Sequence, residues 1–210
     1  LFRTIMPSIE SSSRKTVLAV CFGNLCRSPI AESLLNHYLP SNKWEVISAG
    51  THAIGGEPPT TGSCNAIAKL TGLDISRQLS LPLTSDVLQR SDYIFVMSRR
   101  QATWSAALDP GSAPLIRLLG AFAPAPSPAY QLTNPYGGPT DAMKIPDPMG
   151  GNRKVYEACC RRLIDCTKAV VKWLDAGAPA TEDPGTFADW IKERGPLTLP
   201  KPMDPSRNSN

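Results

Sequence analysis

The stretch Val20-Cys21-Phe22-Gly23-Asn24-Leu25-Cys26-Arg27-Ser28-Pro29 indicates both the fold and the chemistry of this chain. It follows an apolar, β-branched run at 16–20 that is typical of a buried parallel strand. It precedes apolar residues at helical spacing, and Pro29 suits the first turn of that helix. A tight loop between a strand and a helix directs backbone N–H groups and the positive helix end at one point. The stretch therefore predicts a binding site for a phosphate-like dianion.

A cysteine and an arginine in that loop indicate transfer of a phosphoryl group to sulfur. Cys21 lies at the base of the loop, where the same field stabilises the nucleophilic thiolate. Arg27 supplies a planar guanidinium that matches two phosphoryl oxygens. Gly23 suits the turn, and Asn24 suits a left-handed backbone. The alternative is a buried cysteine and a surface arginine with no shared role, and it leaves these other residues unexplained.

Three ordered motifs resemble the low-molecular-weight protein tyrosine phosphatases. Residues 21–32 resemble the phosphate loop of that family, Ser48-Ala49-Gly50-Thr51 follows the second predicted strand, and Pro146-Asp147-Pro148 precedes the last long helix. The resemblance spans about residues 15–176. It implies a flavodoxin-like three-layer α/β/α fold with a four-stranded parallel sheet. It also implies a cysteinyl-phosphate intermediate, formed without a cofactor or a metal ion.

The resemblance also assigns roles to single residues. It makes Cys21 the nucleophile, Arg27 the group that stabilises phosphoryl charge, and Asp147 the acid that protonates the leaving oxygen and then activates water. Without the resemblance, Asp147 is better explained as a turn residue before a proline. The remaining positions are expected to support the loop or bind phosphate: Phe22, Gly23, Asn24, Leu25, Cys26, Ser28 and Ser48.

Three of these supporting residues have a second interpretation. Ser28 is expected to donate a hydrogen bond to the sulfur of Cys21, but it is also a capping residue for the helix that follows. Asn24 and Ser48 match family positions that hold the loop in shape, yet each also suits an ordinary turn.

The rest of the chain alternates predicted strands and helices, which favours a doubly wound parallel sheet. Strands are predicted at 16–20, 44–48, 93–97 and 114–119, and helices at 64–70, 84–90, 99–108 and 153–174. The segment 120–145 is rich in proline, glycine and alanine, and its length favours a functional or mobile loop, which delivers Asp147. The cysteines of the last helix are predicted to be small core residues.

The domain boundaries are predicted from composition. We expect one domain over 15–176, a disordered leader over 1–14 and a mostly flexible tail over 177–210, with one docked helical turn at 187–191. The tail is not expected to form a second domain.

Composition also excludes several classes of protein. The net charge of +4 is mild, and no basic run with interleaved aromatic residues indicates a nucleic-acid partner. No apolar run reaches membrane-spanning length, and the isolated His37 and His52 lack metal-ligand partners. The cysteines do not have the spacing of a secreted disulfide framework. We expect a reduced, cytoplasmic enzyme, a monomer or weak dimer, whose partner is a phosphoprotein substrate.

Three departures from the family pattern leave the substrate preference open. Gln78 stands where the family often has a histidine, although an amide there can still bond the loop asparagine. Met149-Gly150-Gly151 follows Asp147-Pro148 where aromatic residues commonly wall the substrate cleft. Thr60-Thr61-Gly62 stands where an acidic and a basic residue are usual, so a local ion pair is expected to be missing.

Three other functions are alternatives to phosphotyrosine hydrolysis. Protein-arginine phosphatases resemble this chain but have threonine where Leu25 stands, so the apolar Leu25 favours phosphotyrosine. Arsenate reductases share the loop but need further cysteines near it, and Arg99-Arg100-Gln101-Ala102 has none, which leaves only Cys64. An inactive phospho-binding module would not need intact Cys21 and Asp147.

Cys26 suggests redox sensitivity. It lies five residues after Cys21 in one tight loop, where a disulfide between the two sulfurs would protect an oxidised Cys21. The alternative is that Cys26 only packs beneath the loop.

Overall fold

Four parallel strands in the order β2-β1-β3-β4 form the single sheet of the part of the chain that the structure, a computed structural model, describes: residues 14–124 and 143–194. The strands are β1 (Lys15–Cys21), β2 (Trp44–Gly50), β3 (Tyr93–Val96) and β4 (Ile116–Leu118). The helices are α1 (Arg27–Tyr38), α2 (Thr61–Thr71), α3 (Ser85–Gln89), α4 (Arg99–Leu108), α5 (Arg153–Asp175) and α6 (Phe187–Arg194). The predicted three-layer α/β/α fold with four parallel strands is confirmed.

Side-chain alternation along β1 explains the two helical layers. Val17, Ala19 and Cys21 belong to a core shared with α1, α2 and α5. Leu18 and Val20 belong to a second core, which α3, α4 and α6 cover. Because successive side chains of a strand point to opposite faces, one central strand contributes to both cores.

The register of β1 and β2 positions the loop after β1. Cys21 pairs with Gly50, so both strands end at the same edge of the sheet. A Cβ atom at residue 50 would lie 2.7 Å from the carbonyl oxygen of Phe22 and from the backbone nitrogen of Asn24. Only glycine permits this close approach. Ligands of parallel sheets bind beyond such carboxyl ends, so the edge is the expected site.

Most predicted elements occur within a few residues of their expected bounds. The fourth strand is shorter than predicted, because 110–115 forms a 3-10 helix that contains Pro114. Helix α2 begins three residues earlier than predicted, where the side chain of Thr60 caps it by accepting a hydrogen bond from the backbone of Ser63. The three cysteines of α5 are buried in the core, as expected: Cys159, Cys160 and Cys166.

The segment after 176 departs from the flexible tail that composition suggests. Two side chains anchor the segment to the sheet: Asp183 forms a 2.8 Å ion pair with Arg117 of β4, and Phe187 is 6% exposed in the second core. The eight-residue helix α6 replaces the single docked turn that was predicted. Contacts from a few anchoring side chains therefore order this segment, although its composition is polar and rich in proline.

Parts of three predictions lie outside the described residues. They are the leader up to 13, the end of the tail from 195, and residues 125–142 of the long loop. Within the described ranges, no helix is long and apolar enough to cross a membrane.

Candidate active site

Cys21 is the last residue of β1 and lies at the floor of a pocket. Its Sγ accepts a 3.0 Å hydrogen bond from Oγ of Ser28 and a 3.2 Å hydrogen bond from the backbone N–H of Asn24. Cys21 is 2% exposed, so water competes little with these donors. Two donors directed at one sulfur stabilise negative charge on it. The first turn of α1 thus bonds to the sulfur through Ser28.

Asn24 fixes the shape of the loop. Its φ of 57° is left-handed, a conformation that asparagine tolerates better than most residues. Its Nδ2 donates to Oγ of Ser28 and Oγ of Ser48, each at 2.8 Å, and its Oδ1 accepts from the backbone N–H of Leu81 at 2.7 Å. The structure therefore brings Asn24, Ser28 and Ser48 together beneath Cys21.

Glu32 extends this network, and the sequence analysis assigned it no role. Oγ of Ser48 donates a 2.5 Å hydrogen bond to Oε2 of Glu32. Burial raises the pKa of Glu32, and the bond from Ser48 partly offsets that rise. The available signal was spacing: Glu32 lies four residues after Ser28, on the same face of α1.

Asp147 and Arg27 meet although 120 residues separate them in sequence. Nη2 of Arg27 forms a short ion pair with Oδ2 of Asp147, and Nη1 donates to the carbonyl oxygen of Ile145 at 3.1 Å. The side chain of Arg27 is 4% exposed and that of Asp147 is 35% exposed. Oδ1 of Asp147 accepts from the backbone N–H of Met149 at 3.2 Å. The predicted acid thus lies beside the phosphate loop, with its carboxyl partly open to solvent.

Cys26 packs under the loop. Its sulfur lies 3.4 Å from Oγ1 of Thr60, and the residue is 3% exposed. Burial raises the pKa of the Cys26 thiol, and the nearby Asp147 and Cys21 raise it further. Cys26 is therefore a buried thiol in the same loop as Cys21. Cys64 of α2 is partly exposed, and its sulfur lies 3.9 Å from the carbonyl oxygen of Pro59.

The family-pattern departures have different structural outcomes. Gln78 does not bond Asn24, because the backbone of Leu81 takes that place, and the buried Oε1 of Gln78 has no hydrogen-bond partner within the described ranges. In the 60–62 segment, Oγ1 of Thr60 lies 2.9 Å from Oγ of Ser63. A Cβ at residue 62 would lie 2.7 Å from the Tyr156 ring. Gly62 therefore packs closely against α5 in the segment where the family usually has an acidic and a basic residue.

The pocket above Cys21 has a volume of about 240 Å³, a size that suits a single side chain. Its wall includes His52, Ile54 and Glu57, which the sequence did not indicate, and Met149, which the family pattern had placed at the substrate cleft. The first three lie in the segment after β2. Backbone bonds from Thr51 to Cys21 (3.0 Å) and from His52 to Phe22 (2.8 Å) bring that segment to the loop. These contacts join residues some 30 positions apart, so local spacing gave no signal of them.

The other predicted loop residues also line this pocket: Phe22, Gly23, Leu25, Cys26 and Arg27. Over residues 14–124 and 143–194, no group of three or more His, Cys, Asp or Glu side chains is arranged to hold a metal ion.

Comparison with known proteins places this fold and loop in one family. The family model described as low molecular weight phosphotyrosine protein phosphatase matches residues 16–178. The low molecular weight phosphotyrosine protein phosphatase of Gallus gallus is 32% identical over 168 residues, which cover 75% of this chain and 94% of the relative. The probable low molecular weight protein-tyrosine-phosphatase EpsP of Ralstonia solanacearum is 39% identical over 106 residues, which cover 50% of this chain and 71% of the relative.

A solved structure supports the same assignment. The YwlE arginine phosphatase from Geobacillus stearothermophilus superposes with a TM-score of 0.64 at 25% identity, covering 78% of this chain and 94% of that one. Because the family model and the relatives from Gallus gallus and Ralstonia solanacearum are described as tyrosine phosphatases, the chain is an α/β phosphoric monoester hydrolase. It belongs to the low molecular weight phosphotyrosine protein phosphatase family, as the motifs predicted.

Proposed function

We propose that this protein hydrolyses phosphotyrosine in phosphoproteins through an intermediate in which the phosphoryl group is bonded to Cys21. The observation that carries the proposal is the geometry of the pocket floor. Cys21 Sγ accepts two hydrogen bonds there, and the Arg27–Asp147 pair lies beside it. Phosphoryl transfer to sulfur needs a nucleophile, a guanidinium or similar group that stabilises charge, and an acid.

In the first step the thiolate of Cys21 attacks phosphorus. The S–P bond forms as the P–O bond to the tyrosine ring breaks, and Asp147 gives its proton to the leaving phenolic oxygen. Arg27 and the loop N–H groups stabilise the three equatorial oxygens. A phosphoryl dianion bound to Arg27 replaces the ion pair between Arg27 and Asp147, which frees the carboxyl group of Asp147 for this proton transfer.

In the second step water attacks the phosphorus of the cysteinyl phosphate. The carboxylate of Asp147 takes a proton from that water, the P–S bond breaks, and inorganic phosphate and the thiolate are released. The hydrogen bonds from Ser28 and Asn24 stabilise Cys21 as a leaving group in the same way as they stabilise it as a nucleophile.

A pulse of ³²P-labelled p-nitrophenyl phosphate followed by a denaturing quench tests the mechanism. We expect label on Cys21 and a larger labelled fraction in Asp147→Ala, which lacks the base for the second step. Cys21→Ser should lose label and turnover, on the order of 10³-fold or more, because a serine hydroxyl ionises far less readily than a thiol. Turnover that survives in Cys21→Ser, or wild-type turnover without a labelled protein, would overturn the mechanism.

Phosphoarginine is the second candidate substrate. The carboxylate of Glu57 on the pocket wall favours it, since a guanidinium would find an acceptor there. The apolar Leu25 on the same wall favours a phenyl ring instead. The ratio of kcat/KM for phosphotyrosine and phosphoarginine peptides decides between them, and we expect it to exceed one.

We also propose that the enzyme is redox-sensitive and works in a reducing compartment such as the cytoplasm. All six cysteines are unpaired, and Cys26 packs close to the nucleophile. Peroxide would convert the Cys21 thiolate to a sulfenic acid. The Cys26 thiol would then attack that sulfur and expel water, leaving a disulfide that dithiothreitol reduces. Wild type should recover more activity after peroxide and dithiothreitol than Cys26→Ser does, and equal recovery would contradict this role.

A further inference from the structure

Large apolar side chains are exposed around the mouth of the Cys21 pocket. Phe22 is 38% exposed, Ile54 is 84% exposed and Met149 is 40% exposed, and all three line the pocket. They come from three separate segments: the phosphate loop, the segment after β2, and the residues that follow Asp147. Exposed apolar groups gathered around one pocket indicate a binding surface rather than scattered surface residues.

Phe22 is held in a fixed orientation by two further rings. Its ring stacks on His52 with centroids 4.3 Å apart and planes 12° apart. His52 in turn meets the edge of Trp104 on α4, with centroids 4.9 Å apart and planes 79° apart. Stacked and edge-to-face pairs at these distances are the favourable aromatic geometries. Phe22, His52 and Trp104 thus form one continuous aromatic row that ends in the pocket.

The row is uncharged near neutral pH. Partial burial lowers the pKa of His52, and the nearby positive charge of Arg100 lowers it further. A neutral imidazole stacks on Phe22 without the cost of removing a charged ring from water. The pocket therefore presents an apolar face of Phe22, with Ile54 and Met149 as further apolar walls.

We propose that Phe22, backed by His52, is the wall against which the phenyl ring of the substrate packs. This wall replaces the aromatic residues that the family commonly has after Asp147-Pro148, where this chain has Met149. The inference rests on the proposed phosphotyrosine activity and adds the residue that selects the ring. Phe22 acts here as a specificity residue through its side chain, apart from the backbone of its loop.

The test separates binding of the ring from binding of the phosphate. We expect Phe22→Ala to raise KM for a phosphotyrosine peptide about tenfold with little change in kcat, and His52→Ala to have a smaller effect of the same kind. The inhibition constant of inorganic phosphate should stay within about twofold, because the loop donors remain. Phe22→Tyr should restore KM, since it keeps the ring. Leu108→Ala, at the exposed end of α4 and outside the pocket, is the matched control.

Each alternative outcome has a separate meaning. An unchanged KM in Phe22→Ala contradicts the proposal that Phe22 packs against the substrate ring. A loss of phosphate affinity equal to the rise in KM also contradicts it, because it would indicate damage to the loop. A larger loss for phosphoarginine than for phosphotyrosine peptides also overturns it, because the face would then stack a guanidinium. If the wild type neither cleaves phosphotyrosine nor forms the labelled intermediate, the proposed function itself fails.

Discussion

The floor and the mouth of the pocket are built on different principles. The floor is a chain of hydrogen bonds between 2.5 and 3.2 Å that runs from Cys21 through Ser28, Asn24 and Ser48 to Glu32. The mouth is a set of partly exposed apolar side chains, Phe22, Ile54 and Met149 among them. The floor is buried and leaves no donor of Asn24 unused, whereas the mouth is open and held by ring stacking.

This difference separates the residues proposed to carry out the reaction, at the floor, from those proposed to select the substrate, at the mouth. Stabilising charge on sulfur and phosphate requires donors at fixed positions, so a change in one member of the floor leaves its neighbours unpaired. Apolar packing has no such directional requirement, so the mouth can exchange one wall for another. The Met149 departure from the family pattern falls at the mouth, and the residues of the floor match that pattern.

The largest effect outside the nucleophile is expected for Asp147→Asn. An amide cannot donate a proton to a leaving group, so substrates with poor leaving groups should slow by about 10²- to 10⁴-fold. Activated aryl phosphates should slow much less, because their oxygen leaves without protonation. A series of aryl phosphates with different leaving-group pKa values measures this slope. An equal loss across the series would instead give Asp147 a structural role.

The next largest effect is on stability, where a substitution at the floor should lower the free energy of unfolding more than one at the mouth does. Asn24→Ala removes three hydrogen bonds and places alanine at a φ of 57°, so the free energy of unfolding should fall by about 2–4 kcal/mol. Asn24→Gly should recover about 1 kcal/mol of that loss, because glycine adopts this backbone without strain. Urea unfolding measures both changes.

The control for the floor is Ile54→Ala at the mouth. Ile54 is 84% exposed, so the change in unfolding free energy should stay within about 0.5 kcal/mol. Equal destabilisation by Asn24→Ala and Ile54→Ala would remove the distinction between a rigid floor and an adaptable mouth.

The smallest expected effect is on the pH dependence of stability, and it comes from Glu32 at the end of the floor. Because burial raises the pKa of Glu32, the folded protein holds this proton more tightly than the unfolded chain. The contribution of Glu32 to stability is therefore greatest at low pH and falls as pH rises through its folded-state pKa. Glu32→Gln keeps an acceptor for Ser48 and removes that charge, so it should gain stability relative to wild type from pH 4 to pH 8.

The size of this gain is on the order of 1 kcal/mol or less. Urea unfolding at the two pH values measures it, and Glu45→Gln, an exposed position on β2, is the matched control. An identical pH response in the two variants would show that burial of Glu32 has no effect on stability.

The sequence by itself determined the strand–loop–helix unit and its chemistry. Cys21, Asn24, Arg27 and Ser28 lie within eight residues, so the strand and helix patterns on either side were enough to predict that they share one loop. The resemblance added Asp147 and Ser48, which no local pattern would have selected. The core positions of α5 followed from their helical spacing, because periodicity reports directly which face of a helix is buried.

The tertiary structure decided the contacts between segments far apart in the chain. The β1–β2 register brings His52 to Phe22, and packing of α4 adds Trp104. The docking of 177–194 depends on Asp183 and Phe187, whose partners lie on the sheet rather than nearby in sequence. Residue spacing carries no information about such contacts, because they exist only after the strands have paired and the helices have packed on both faces of the sheet.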